Sequence, residues 1–360
     1  VVANKREADF RLLSLCNVPS STTFNPLASG ASEEVAERVF SSFEFENEYY
    51  RGIQYRLFAA AIHLLDLAGV KRSMSQVIMV LSEPGYLEAL MASIVPDTAL
   101  GPLLRFLDLK PEKRWEMASG LLTNLGHFCS STHAVLFNAQ EEGIDFEVAM
   151  KQGHIIYMQL PTMLYPFLGA ATGKLALQCF QAAIAKRHTE DGATSKPRFF
   201  PCFLDDFQDY IYPGFGSLLN KSRSANVGVV FAHQALGDLD KVDPAFRNIV
   251  TTNTNIKVLM RTNDPDTCEY FAKTFGTKTS TKMTQRQTQT LIGKQQTGDG
   301  SVRDVEEYRY HPNTIKTLPL GEGIISIPHP GGVKLAKVTF VMRPALRRVA
   351  LPLVPKALPH

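Results

Sequence analysis

The stretch FFPCFLDDFQDY, residues 199–210, is the part of this sequence best equipped for chemistry. An apolar run, predicted as a strand, ends in adjacent aspartates, Asp205 and Asp206, and an aromatic follows. In open α/β sheets, ligands bind outside the carboxyl ends of the strands. A carboxylate at such an end can hold Mg²⁺, usually through water, and the metal can bridge the β- and γ-phosphates of a nucleotide. A second carboxylate beside it can orient an attacking water. Neighbouring strand residues point to opposite faces, so Asp206 has to act from the strand's end, where the chain is already turning. The plainer alternative is that Asp205 begins a turn and Asp206 caps the next helix.

The neighbourhood adds weight to the chemical reading. The next predicted strand, VGVVFAHQ, ends in Gln234, a polar residue that a neighbouring strand can hold against a γ-phosphate. Arg223, in NKSRSANVG, lies just before that strand, at the end of a predicted helix. An arginine there can reach across a subunit boundary and stabilise phosphate charge in a transition state. As a helix-terminal cation it would merely complement the helix dipole.

These residues need a frame. The chain has 360 residues, enough for two cores, and is 44% hydrophobic and 20% charged, the texture of a folded protein. Its 38 basic and 35 acidic residues leave a formal charge of +3, too mild to argue for nucleic acid except through a local surface. The cysteines (Cys16, Cys129, Cys179, Cys202, Cys268) are odd in number and form no CxxC pair, which points to a reducing compartment. No uninterrupted apolar run is long enough for a membrane helix, and no signal peptide is visible. The chain opens on Val1, and VVANK reads as a strand, so an N-terminal portion is expected to be missing.

Residues 1–31 read as a strand followed by extended connections with Pro and Ser punctuation. Helical periodicity then dominates residues 32–142, with Ser32 available as the first cap. From about 143 the texture becomes alternating. Strands are predicted at 154–161, at RFFPCFL, at 227–232 and at 255–260, with helices between them, one starting at Asp264-Pro265. This rhythm predicts a mostly parallel sheet covered on both faces. The predicted organisation is an α/β domain of residues 1–31 and 143–345, an all-α insertion of residues 32–142, and a C-terminal extension, 346–360. The polar segment 277–300 is predicted as a mobile loop, and the tail GEGIISIPHPGGVKLAKVTFV as a terminal hairpin.

FFPCFLDDF followed by NKSRSANVGVVFAHQALGDL resembles the Walker B and succeeding motif of type IV secretion coupling proteins, the TraD/TraG-like conjugation ATPases related to FtsK and HerA. FNPLASG, GHIIYMQLP, MRTNDPDTCEYFAKTFG and LPLGEGIISI match further pieces of that family in the same order, across nearly the whole chain. The resemblance implies a RecA-like P-loop-type nucleotide-binding domain interrupted by an all-α domain. It implies ATP and Mg²⁺ as cofactors, with Asp205 in the place of the Mg²⁺ ligand and Asp206 in that of the water-activating glutamate. Gln234 matches the sensor glutamine, Arg223 the trans-acting arginine, and Arg261 is a candidate phosphate sensor whose alternative is a salt bridge at a strand end. The implied assembly is a homo-hexamer at the cytoplasmic face of the bacterial inner membrane. Its implied partners are other secretion components, adaptors, and a DNA–relaxase complex or effector proteins, with DNA among the contacts. The competing functions are a non-hydrolysing recruitment scaffold and a chromosomal DNA translocase of the FtsK/HerA type.

Two departures stand out. Asp206 is one methylene shorter than the family's glutamate, which sets the carboxylate back by about a bond length. No GxxxxGK[ST] occurs, and without that cradle ATP lacks a tight phosphate site. GAATGKL (169–175) has too few residues between its glycines and Leu175 where a hydroxyl is needed, so Gly169, Gly173 and Lys174 read as helix-start residues. The family's phosphate loop precedes the strand matching VVANK, so the chain is expected to begin after it and to be inactive alone. The rival is a degenerate member. His127, Cys129 and His133 in HFCSSTH have metal-like spacing but no second ligand pair. Lys278, Lys282, Arg286 and Lys294 form a basic run that could touch a phosphate backbone or simply be solvated.

Overall fold

The structure is a computed structural model, and it describes residues 5–129, 132–139, 143–189, 197–241, 245–290, 293–330 and 332–340. All but Lys5 of the predicted VVANK strand, most of the TEDGATSKP linker and the 346–360 extension lie outside those residues. The chain divides into two compact units, one running to Ala232 and the other spanning His233–Ala350.

The first unit opens with β1 (Phe10–Ser14). Seven helices follow: α1 (Ser32–Phe40), α2 (Glu48–Leu67), α3 (Met74–Ser82), α4 (Pro84–Ala92), α5 (Gly101–Leu107), α6 (Pro111–Gly126) and α7 (Ala134–Phe137). Then come α8 (Phe146–Gln152), β2 (Ile155–Gln159), α9 (Pro166–Thr189), β3 (Phe200–Leu204), α10 (Phe215–Ser222) and β4 (Val227–Phe231). Polar caps start several helices: Asn47 accepts from the backbone N–H of Tyr49 and Tyr50, Ser73 from Gln76, and Asp145 from Val148. The cap of α1 differs from expectation. Ala31 occupies the position, and its N–H donates to the Glu34 carboxylate, while the Ser32 hydroxyl turns to Glu33.

β1 pairs in parallel with β2, Phe10 opposite Ile155, so the chain leaves β1, builds the helical block and returns beside it. The Ser14 hydroxyl donates to Gln159 Oε1 across this pair. One apolar core runs from Leu13 and Phe24 through Phe58, Ile62 and Leu121 to Leu175 of α9. The helical block therefore shares its interior with the strands. Gly153 ends α8 at φ +79, a left-handed conformation that favours glycine, with the flexible Arg198 guanidinium folded over it.

β3 pairs in parallel with β4, Phe200 opposite Val227. One face of the pair meets α9 and α10, with Phe180 against Phe200 and Phe215 against Phe231. On the other face Phe203 and Val230, cross-strand partners, are 74% and 57% exposed. The two-sided cover expected for an apolar strand is thus present on one side within this unit.

The second unit holds α11 (Gly237–Asp240), α12 (Phe246–Asn253), β5 (Lys257–Met260), α13 (Pro265–Phe275), β6 (Thr277–Thr290), β7 (Gly293–Tyr308), α14 (Pro312–Lys316), β8 (Glu322–His329) and β9 (Gly332–Thr339). Asp264 caps α13 as expected, accepting from Thr267 N–H at 2.9 Å. The strands order β5-β8-β9, all antiparallel, over a core of Leu259, Cys268, Ala272, Phe275, Ile315, Leu318 and Ile324. The terminal hairpin is β8–β9. Within segment 277–300, residues 277–290 and 293–300 are strand, not loop. β6 and β7 pair from Thr277–Tyr308 to Thr290–Gly293, with a register shift between Gln285 and Gln287. Threonine favours the extended backbone, which cross-strand pairing can sustain without an apolar stripe. Among the described residues no helix is long and apolar enough to cross a membrane.

The loop FNPLASG after β1 is gripped from beneath. The buried Arg38 guanidinium donates to the carbonyls of Pro26 and Ser29, and Arg72 to those of Leu27 and Gly30 while pairing with Asp66. Replacing Arg38 by Met keeps the bulk and strips these bonds. We expect Arg38→Met to lower unfolding free energy by about 2 kcal/mol in urea titrations followed by circular dichroism.

Candidate functional site

β3 stops at Leu204 because the chain bends there. Ala232 N–H donates to Leu204 O, and Phe207 N–H donates back to Ala232 O, closing the ladder three residues past the end of β3 and one past that of β4. Phe207 is fully buried against Phe215 and Phe231, with ring centroids 4.3 and 5.2 Å away. Between the strand and this anchor lie Asp205 and Asp206, both exposed. Asp206 takes the left-handed conformation, φ 46 and ψ 45. It stands at the head of a short 3-10 turn, Phe207–Asp209, but its side chain makes no capping bond. The plain helix-cap alternative therefore finds no support in the geometry.

Asp206 N–H donates to Asp205 Oδ1 at 3.1 Å, and Gln208 Nε2 donates to Asp206 Oδ1 at 3.3 Å. The Oδ2 atoms of both carboxylates accept no hydrogen bond among the described residues. Two exposed carboxylates with free oxygens, side by side at the carboxyl end of parallel strands, suit a hard cation such as Mg²⁺ that keeps part of its water shell.

The turn is tied down from three directions. Thr162 Oγ1, in the loop after β2, donates to Asp209 Oδ2 at 2.5 Å. The Tyr210 hydroxyl donates to the Asp205 carbonyl oxygen, and Phe207 enters the core. Burial, reinforced by Cys202, Asp205, Asp206 and Asp209 nearby, raises the Tyr210 hydroxyl far above its ordinary pKa, so it stays a donor. Sequence patterns did not single out Thr162, Gln208 or Tyr210. Thr162 meets its partner 47 residues away, and the bonds of Gln208 and Tyr210 to Asp206 and Asp205 depend on the turn's own geometry, so only the aromatic after the acid pair was visible.

The other predicted residues belong to other segments. Arg223 is the C-terminal cap of α10, exposed, and its carbonyl accepts from Asn226 N–H. Asn226 O in turn accepts from Phe200 N–H, so Arg223 stands at the amino end of β3 and β4, opposite the aspartates. Gln234 and Arg261 belong to the second unit, Gln234 three residues past β4 and Arg261 at the end of β5, and both are exposed. Arg261 makes no salt bridge among the described residues, so the strand-end ion pair is not formed. The three candidate ligands of HFCSSTH make other contacts: His127 lies against Phe167, Cys129 bonds Asn138, and His133 Nε2 lies 2.9 Å from Leu15 O.

A family model described as the TraM recognition site of TraD and TraG matches residues 200–319, one third of the chain. The type 4 coupling protein DotL of Legionella pneumophila subsp. pneumophila (strain Philadelphia 1) is 24% identical over 228 residues, which is 56% of this chain and 29% of DotL. The chain thus spans under a third of that relative's length. Among solved structures, the plasmid coupling protein TrwB in complex with ADP and Mg²⁺ has a TM-score of 0.63 at 15% identity, over 95% of this chain and 76% of its own. TrwB with a non-hydrolysable ATP analogue gives 0.65 at 14%, with the same coverage. VirB4 of Thermoanaerobacter pseudethanolicus gives 0.56 at 10%, covering 95% of this chain and 79% of its own. The fold is the RecA-like α/β fold of these proteins, and the matches bear out the resemblance to coupling proteins read from the motifs.

Two measurements probe the site's local physics. An L-residue other than Asn or Asp pays roughly 1–2 kcal/mol in the left-handed region. Asp206→Ala should therefore be less stable than Asp206→Gly by about 1 kcal/mol in paired urea melts. Burial pushes the thiols of Cys129 and Cys179 up to about 11 and of Cys202 to about 12. Because a raised pKa keeps a thiol protonated, iodoacetamide at pH 8 should label exposed Cys16 first. Labelling of the buried thiols should climb roughly tenfold per pH unit well beyond pH 9, read by peptide mass spectrometry.

Proposed function

We propose that this chain, which is related to the type IV coupling proteins, is the nucleotide-hydrolysing body of such a protein. In this reading Asp205 holds Mg²⁺ through water and Asp206 orients the water that attacks the γ-phosphate. Gln234 contacts the γ-phosphate, Arg261 senses it, and Arg223 serves the nucleotide of a neighbouring copy. Bound Mg·ATP would supply the transferable phosphoryl group, and the chain's own part is to position charge around it. Residues 1–31 and 143–345 form the nucleotide-binding domain, 32–142 the all-α domain, and 346–360 an extension. The working assembly is a homo-hexamer at the cytoplasmic face of the bacterial inner membrane. It delivers DNA–relaxase complexes or effector proteins, received from adaptors, to a secretion channel.

The observation that carries this reading is the left-handed turn at Asp206. It sets two partly free carboxylates at the carboxyl end of a parallel strand pair. Parallel β1 and β2, with the helical block between them in sequence, support the insertion. The short acid at 206 favours the second reading, a recruitment scaffold without turnover.

Asp206→Asn separates the two. Asparagine also tolerates the left-handed region, so the turn survives while the charge is lost. In the full-length protein, DNA-stimulated ATP hydrolysis should fall by roughly 10²-fold or more with the melting temperature unchanged. A variant that hydrolyses ATP like its parent would remove Asp206 from the mechanism. A parent that binds its protein partners yet hydrolyses nothing would make the chain a scaffold.

A further inference from the structure

We infer that Tyr210 is a positioning residue for the acidic turn, coupling the direction of Asp205 and Asp206 to helix α9 through a ring contact at Gly173 and a hydroxyl bond to Asp205. The inference rests on the assignment of these carboxylates to a Mg·nucleotide and extends it to residues outside the family's motif.

A Cβ built on Gly173 would lie 2.8 and 2.9 Å from Cβ and Cγ of Tyr210, closer than side-chain contacts allow. The tyrosine therefore lies directly on the α9 backbone, in a gap that only glycine leaves open. GAATGKL, which looks like a broken phosphate loop, is here a helical seat for an aromatic ring. The ring's hydroxyl reaches back five residues to the Asp205 carbonyl oxygen, and Tyr210 N–H donates to Phe207 O at 3.2 Å. The tyrosine thus bridges the turn from its last residue to its first. Asp209, adjacent to it, is held by Thr162. With Phe207 buried and its N–H on Ala232 O, the inner side of the turn is fixed and the two carboxylates are the part left facing outward.

The two halves of the tyrosine have separable effects. Phenylalanine at 210 would fill the seat on Gly173 equally well and lose only the bond to Asp205. Freed of that bond, the Asp205 peptide can rotate, and the carboxylate beside it loses its preset direction. A purely packing role for Tyr210 would leave Tyr210→Phe indistinguishable from the parent.

The test uses the full-length protein with ADP, and Mn²⁺ as a paramagnetic stand-in for Mg²⁺, titrated by electron paramagnetic resonance. Nucleotide affinity is measured in parallel with a fluorescent ADP in EDTA. Tyr210→Phe should weaken nucleotide-dependent Mn²⁺ binding by about three- to tenfold, the worth of one hydrogen bond. Metal-free ADP affinity should be unchanged. Gly173→Ala, which drives a methyl group into the ring, should weaken Mn²⁺ binding at least as much. Parent-like Mn²⁺ affinity in Tyr210→Phe, or an equal loss of metal-free ADP affinity, overturns the inference. A parent with no ADP-dependent Mn²⁺ site instead overturns the assignment of the carboxylates themselves, and the inference falls with it.

Discussion

A parallel strand cannot carry two usable carboxylates at its tip unless the chain turns sharply immediately beyond it. Alternation would otherwise send one acid to each face of the sheet. Here the turn is made by a left-handed aspartate, a conformation that costs free energy for any residue with a side chain. It persists because its surroundings over-determine it. Phe207 is pulled into a cluster of aromatics, its N–H is taken by Ala232, and Tyr210 closes the loop onto Asp205. The strain sits where two acidic side chains stand exposed at the end of β3.

The rest of that unit is arranged around the same point. α9 is long, and its core face ties the helical block to the strands through Leu175 and Phe180. Its early turns receive the Tyr210 ring. One helix thus touches the helical block, β3 and the acidic turn. A displacement of the block relative to α9 would be transmitted to Asp205 through packed side chains, because closely packed interiors resist local compression.

The acid pair and its strand were legible because a run of aromatics followed by two aspartates is a local pattern. So was the Asp264 cap, which needs only neighbours in sequence. Tyr210 on Gly173 was not legible, since the contact joins residues far apart and glycine early in a helix has many uses. The β6–β7 pair escaped for a different reason. Its strands, rich in Thr, Gln and Lys, carry no alternation of apolar residues, so the period-two signal was silent although the backbone pairs over most of its length. The strand FRLLS, Phe10–Ser14, also escaped, because an arginine breaks its apolar run. Arg261 offers a last lesson: a cation at a strand end was expected to find an acid, and none of the described acids pairs with it.

The position of Arg223 constrains any mechanism further. β3 has five residues, and four steps of roughly 3.3 Å separate its ends by about 13 Å. Arg223 belongs to the amino end and the aspartates to the carboxyl end. An extended arginine side chain covers only part of that distance, and the strand pair stands between. Within one copy, then, Arg223 and Asp205 cannot grip the same phosphate. If both act on nucleotide, the arginine must act on one held by another copy. The subunit that binds a nucleotide and the subunit that completes its site would then be different molecules, and hydrolysis would depend on assembly.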